Sequence, residues 1–147
     1  MSTTGTVTLN PSIIGQAEKH HTAILTLALA GTTLDEKQWI TLNQLVAADA
    51  AVAGEAHVAK VAGMTQWQPA DVEHALNLLI TAGLVRQTAS EQVEISEAGR
   101  ETVARVRAIS GGIVGRAYGS VAAEELEVAA RVLVAITARM SEELARV

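Results

Sequence analysis

The sequence predicts a mainly α fold: a winged helix-turn-helix with a small two-stranded wing, flanked by long N- and C-terminal helices. Three observations lead there. Apolar residues recur at helical spacing through most of the 147 residues. One stretch, Leu84 to Ile95, changes to alternation. Aromatic residues are confined to Trp39, Trp67 and Tyr118, with no Phe, so Ala, Val and Leu must fill the interior, a composition suited to close-packed helices.

At this length a single domain is expected. Residues 1–9 read as a tail and 10–147 as the domain, with the winged helix-turn-helix at 34–96 and dimerisation helices at 10–31 and 97–147. Asn10 followed by Pro11 is a helix start, a capping side chain before a ring that fixes φ. In the helix that follows, Ile13, Ala17, His20, Ile24 and Leu27 form a seam at alternating spacings of four and three, and Gly31 ends it. Thr33 to Glu36 reads as a capping box opening a second helix that runs to about Asp49, with Trp39, Leu42, Leu45 and Val46 on its buried face. Ala50 to Gly54 is a small-residue connector.

A short third helix, Glu55 to Ala62, precedes a turn at Gly63 to Gln68, and Pro69 opens a fourth helix closed by Gly83. This pair has the layout of a helix-turn-helix. Val85, Gln87, Val93 and Ile95 then alternate about a polar tip, Thr88 to Gln92, and Ser96 caps a fifth helix. The Gly111-Gly112 pair predicts a kink or break there. From about Ala122 to the end, Leu126, Leu133, Met140 and Val147 stand at seven-residue intervals, with Leu144 beside them. That heptad seam, with Ile13 of the first helix, is the expected homodimer interface.

Several function classes are excluded. Without cysteine there is no disulfide scaffold, thiol nucleophile or thiolate metal site, and a cytoplasmic location is expected. Met1 to Leu9 lacks the basic and apolar segments of a signal peptide. The most apolar window, Ala23 to Ala30, falls far short of the roughly 20 residues a membrane span needs. The four histidines, His20, His21, His57 and His74, show no i, i+4 pair, so no metal is expected. Gly112 to Gly119 lacks the preceding strand and the Lys-Ser or Lys-Thr of a phosphate loop. With no nucleophile elbow, acid–base pair or cofactor fingerprint, neither an enzyme nor a cofactor is expected.

The order of elements, with the strings LDEKQW at Leu34 to Trp39, LLITAGLV at Leu78 to Val85 and ISEAGRE at Ile95 to Glu101, resembles the MarR family of bacterial transcriptional regulators over about Ile13 to Val147. The resemblance implies a dimeric regulator, a repressor released by a small aromatic or lipophilic effector, bound to operator DNA with half-sites about one helical turn apart. It places Gln66, Gln68, Ala70, Asp71, His74 and Asn77 towards the major groove, with Arg86 and the Thr88 to Gln92 tip as the wing. Thr65, Ser90 and Arg100 would add backbone contacts. It also implies an effector pocket at His20, His21, Ile24 and Trp39, although core packing alone accounts for Trp39. Trp67 reads as a plug in the helix-turn-helix turn.

Charge sets a rival reading. The net charge is −5, and seven of eleven basic residues, Arg100, Arg105, Arg107, Arg116, Arg131, Arg139 and Arg146, lie in the C-terminal third. From Glu55 to Ile95 there are two basic residues, Lys60 and Arg86, against five acidic ones, Glu55, Asp71, Glu73, Glu91 and Glu94. Binding of duplex DNA draws on phosphate neutralisation. The alternative is therefore a winged-helix dimer that has lost DNA binding and serves as a protein-interaction or ligand-binding module.

Overall fold

The computed structural model describes residues 6–48 and 50–147. Its elements, in order, are α1 (Pro11–Leu29), α2 (Glu36–Asn43), β1 (Val52–Ala53), α3 (Gly54–Thr65), α4 (Pro69–Thr81), β2 (Val85–Gln87), β3 (Gln92–Ile95), α5 (Glu97–Tyr118) and α6 (Ala123–Ala145), with a 3-10 turn at Ala89–Glu91. The chain divides into two compact units, one ending at Ser110 and one spanning Gly111–Val147.

In the first unit, Leu42, Leu45, Leu76, Leu79, Val85, Val93 and Val106 pack with Trp39 into one core. Val61, Ala62 and Val72 form a satellite that Trp67 covers, which is the plug expected of it. Lys37 Nζ stands 5.3 Å from the Trp67 ring centroid, so α2 clamps the turn through a cation–π contact.

Local chemistry explains most boundaries. Asn10 Oδ1 accepts from Ile13 N at 3.0 Å. At the end of α4, Gly83 takes a φ of +78°. Its amide donates to Ile80 O and that of Leu84 to Leu79 O, both at 3.0 Å, a Schellman closure that a side chain at this φ would strain. Ser96 joins this turn to α5: its hydroxyl donates to Gly83 O at 2.7 Å and accepts from Gly99 N at 3.0 Å. Gly99 lies so close to the Leu84 carbonyl that a Cβ would collide with it. The ISEAGRE string is thus a mechanical joint between α4, β3 and α5.

The structure corrects five expectations. The capping box belongs to Asp35 and Gln38, not to Thr33 and Glu36: Gln38 N donates to Asp35 Oδ1 at 2.8 Å and Asp35 N to Gln38 Oε1 at 2.9 Å. Helix α2 ends at Asn43, and three-residue turns replace the expected continuation towards Asp49; Asp49 itself lies outside the described residues, as do residues 1–5 of the expected tail. Helix α3 continues to Thr65 before Gln66 closes it in the left-handed conformation at φ 62°.

The small-residue connector contains β1, whose Val52 pairs with Val93 and Ala53 with Gln92. The sheet therefore has three antiparallel strands in the order β1-β3-β2, where two were expected. Finally, α5 passes through Gly111-Gly112 without a break.

In the second unit, α6 buries no residue. Leu133, Met140 and Leu144 are 38%, 52% and 61% exposed, and Leu126 is half-buried. Val147 stands past the helix end, fully exposed. Arg139 pairs with Glu142 and Glu143, and Arg146 with Glu143.

Candidate nucleic-acid interface

Helix α4 is two-faced. Val72, Ala75, Leu76 and Leu79 are buried, which turns Ala70, Asp71, Glu73, His74 and Asn77 outwards. Pro69 pre-sets the first turn, and Gln68 occupies the N-cap without a side-chain cap bond. Gln68, Ala70, Asp71, His74 and Asn77 therefore share an accessible surface, where a Gln or Asn amide can make paired hydrogen bonds to an adenine edge.

Two neighbouring positions are committed to the turn. Thr65 Oγ1 donates to Val61 O at 2.7 Å and accepts from Trp67 N at 3.2 Å. Gln66 Nε2 donates to Gly63 O at 2.8 Å. Both shape the approach to α4 with the groups expected to reach a duplex.

The wing presents Arg86, Gln87 and a tip where Ser90 and Glu91 adopt φ of 64° and 59°. Its one cation is partnered. Arg86 sits opposite Glu94 in the β2–β3 register, and its Nη2 donates to Glu94 Oε1 at 2.9 Å. The Arg86 side chain is 65% exposed, so a pair of this kind is worth only about 0.2–1 kcal/mol and can be exchanged for a phosphate. Glu94 was legible from the hairpin, since residues flanking a shared tip pair at a constant sum. Glu73 was legible too, four residues before Asn77 on one helix face; from the sequence both count only towards the acidic excess between Glu55 and Ile95.

The residues expected to hold an effector do not share one environment. Trp39 is 7% exposed within the core. His20 and His21 are exposed on α1, each with Nδ1 2.7 Å from a carbonyl of its own helix, Gln16 O and Ala17 O. Ile24 is half-buried. Along a face of α1 that includes none of them runs a groove of about 440 Å³ between α1 and the start of α2, lined by Thr22, Leu25, Thr26, Leu29, Leu34 and Glu36 among others.

His57 is structural. Because α2 stops at Asn43, its last carbonyls need outside partners, and His57 on α3 supplies one, with Nε2 2.9 Å from Thr41 O. A ring nitrogen facing a carbonyl must carry the hydrogen. Burial holds the His57 pKa below its ordinary value, against the bond to Thr41, and the Lys60 charge acts in the same direction as burial. Among the described residues, no group of His, Asp or Glu side chains has the arrangement of a metal site. No helix there is long and apolar enough to cross a membrane.

No family model matches the sequence, and no curated protein is significantly similar to it. Solved structures are similar. A MarR-family regulator from Silicibacter pomeroyi aligns with a TM-score of 0.74 at 18% identity, covering 88% of each chain. One from Rhodococcus sp. RHA1 aligns at 0.70 and 17% identity, covering 88% of this chain and 96% of its own.

The fold is that of the MarR regulators. A MarR-family protein of Mycobacterium tuberculosis was solved in complex with DNA, at TM-score 0.65 and 16% identity, covering 88% of this chain and 98% of its own. The same bacterium's protein was also solved with p-aminosalicylic acid, at 0.66 and 17%, covering 88% and 99%. The short β1 pairs with β3 and leads directly into α3, which it anchors to the wing.

Proposed function

We propose that this chain is a MarR-like transcriptional regulator that binds operator DNA as a homodimer through α4 and the wing. The observation that carries the reading is the outward face of α4, where Gln68, Ala70, Asp71, His74 and Asn77 stand clear of the core beside the wing. The DNA complex of the mycobacterial structural neighbour supports the partner class. Dimerisation is supported by α6, whose Leu126, Leu133, Met140 and Leu144 repeat along a helix with no buried residue within its unit, with Val147 next in the repeat; Ile13 of α1 is half-buried and joins the proposed interface. The effector is a small aromatic or lipophilic molecule, and repression is the proposed mode. The apolar groove between α1 and α2 suits such a ligand better than the buried Trp39 or the set His20, His21 and Ile24, none of which lines it.

Enrichment of random duplexes on the full-length protein in about 50 mM salt tests this directly. A pseudo-palindromic site, lost with the double substitution His74→Ala/Asn77→Ala, is the expected result. A second reading is favoured by the Arg86–Glu94 pair and the acidic excess from Glu55 to Ile95: a winged-helix dimer without DNA binding. Enrichment of no sequence, by a protein that sediments as a dimer, would select it.

A further inference from the structure

The outward face of α4 has a ridge along its middle. Val72, Ala75, Leu76 and Leu79 set the buried side. At about 100° per residue, the opposite direction falls to Ala70, His74 and Asn77, all exposed. This ridge is about 10 Å long at the helical rise, which matches about three base pairs of duplex. The side chains of Thr65, Gln66 and Arg86 are engaged within the chain, whereas those of His74 and Asn77 make no hydrogen bond or ion pair among the described residues. No Lys or Arg occurs from Pro69 to Thr81, and the two carboxylates of α4, Asp71 and Glu73, stand on either side of the ridge.

We infer that this ridge selects A·T pairs and rejects guanine on the strand it contacts, with Asn77 taking an adenine and Ala70 a neighbouring thymine. The inference rests on the proposed DNA contact of α4 and adds which bases that contact selects. The Asn77 carboxamide sets a donor beside an acceptor, which matches the N7 acceptor and N6 amino donor of adenine; guanine presents two acceptors, N7 and O6, and would place O6 against the amide oxygen. Guanine is most often held by Arg or Lys, and α4 supplies neither. Asp71 and Glu73 act in the same direction, because a carboxylate only accepts: it suits the amino groups of adenine and cytosine and is repelled by both guanine acceptors. Ala70 offers a methyl group, whose complement in the major groove is the thymine methyl. His74 between them offers a ring N–H that the N7 of either purine accepts, so it adds affinity without choosing. Gln68, exposed ahead of the ridge, carries a second amide with the preference of Asn77.

The test is to enrich random duplexes on the full-length protein and then edit single atoms of the enriched site. Each adenine is replaced in turn by 7-deazaadenine, which lacks N7, and each thymine by uracil, which lacks the methyl group, with affinity read by competition anisotropy in about 50 mM salt. One 7-deazaadenine position should weaken binding about tenfold, and in Asn77→Ala the same edit should cost less than about twofold, the coupling expected of a direct contact. Uracil at one neighbouring thymine should weaken binding about threefold, an effect lost in Ala70→Gly. Enrichment on Asn77→Arg should replace the coupled adenine by guanine. Guanine at the position coupled to Asn77 in the unsubstituted protein, or edits that cost as much in the variants as in that protein, would overturn the inference and leave DNA binding in place. Enrichment of no sequence by a folded dimer would instead remove the contact on which the inference rests, and the inference with it.

Discussion

The residues from α2 to the start of α5 and the helix α6 are made of the same apolar, alanine-rich material, yet they are stabilised differently. In the first, side chains from α2, α4, the sheet and α5 bury one another, with Leu42, Leu79 and Val106 fully enclosed. In α6, a comparable set of Leu, Val, Ile and Met buries none of its members within the unit. The first region is a scaffold complete within one chain. The second carries an exposed apolar repeat, the pattern of a coiled-coil strand.

Equivalent truncations in the two regions should therefore part company. Leu42→Ala should destabilise the chain by about 2–5 kcal/mol, the range for emptying a buried leucine site, and lower the urea midpoint at every protein concentration. Leu133→Asp should leave far-UV helicity largely intact but raise the dimer dissociation constant at least about 100-fold, seen by sedimentation, because a desolvated charge replaces an apolar contact. A midpoint for Leu133→Asp that falls as far as that of Leu42→Ala, with no change in assembly, would erase the contrast.

A smaller effect is expected at the joint between α4 and α5. Gly99→Ala pushes a methyl group against the Leu84 carbonyl and should cost about 1–3 kcal/mol, whereas Gly111→Ala, where added Cβ meets open space, should be neutral or stabilising by up to about 1 kcal/mol. Chemical denaturation of the two variants side by side reads the difference.

The pH dependence of the scaffold is smaller still. His57 has a lowered folded pKa, so the unfolded chain takes up the proton first. The stability that the neutral ring supplies is present above its unfolded pKa, near 6.5, and is lost as pH falls through that value towards the folded one. His57→Gln should flatten this part of the stability curve below about pH 7. An unchanged slope would place the titration elsewhere.

Much of the scaffold was legible because it is written in local chemistry. Asn10-Pro11, Pro69 and Gly83 carry their reasons in their own side chains or backbone freedom, and the face of α4 follows from its periodicity. What was hidden depends on partners distant in sequence. β1 is two residues long, too short to show alternation, and exists because Val93 waits on the other side of the sheet. Asp35 and Thr33 both match a cap pattern, and only the fold decides between them. Two helical glycines cost about 1 kcal/mol each, which α5 absorbs at positions 111 and 112. Within the interface, the outward side chains were readable, while the engagement of Thr65 and Gln66 in the turn and of Arg86 by Glu94 was not recognised.

Under the proposed function, α4 and a single exchangeable wing cation grip a duplex. Fluorescence anisotropy on an enriched duplex across 25–200 mM salt measures it most directly. The account predicts binding with a shallow dependence, a log–log slope smaller in magnitude than about 5 per dimer. That slope should flatten by about one per protomer in Arg86→Ala, whereas Glu94→Gln, which frees Arg86 from its partner, should tighten binding and leave the slope nearly unchanged. Absence of binding at 25 mM salt by a folded dimer, or a slope unchanged in Arg86→Ala, would contradict it.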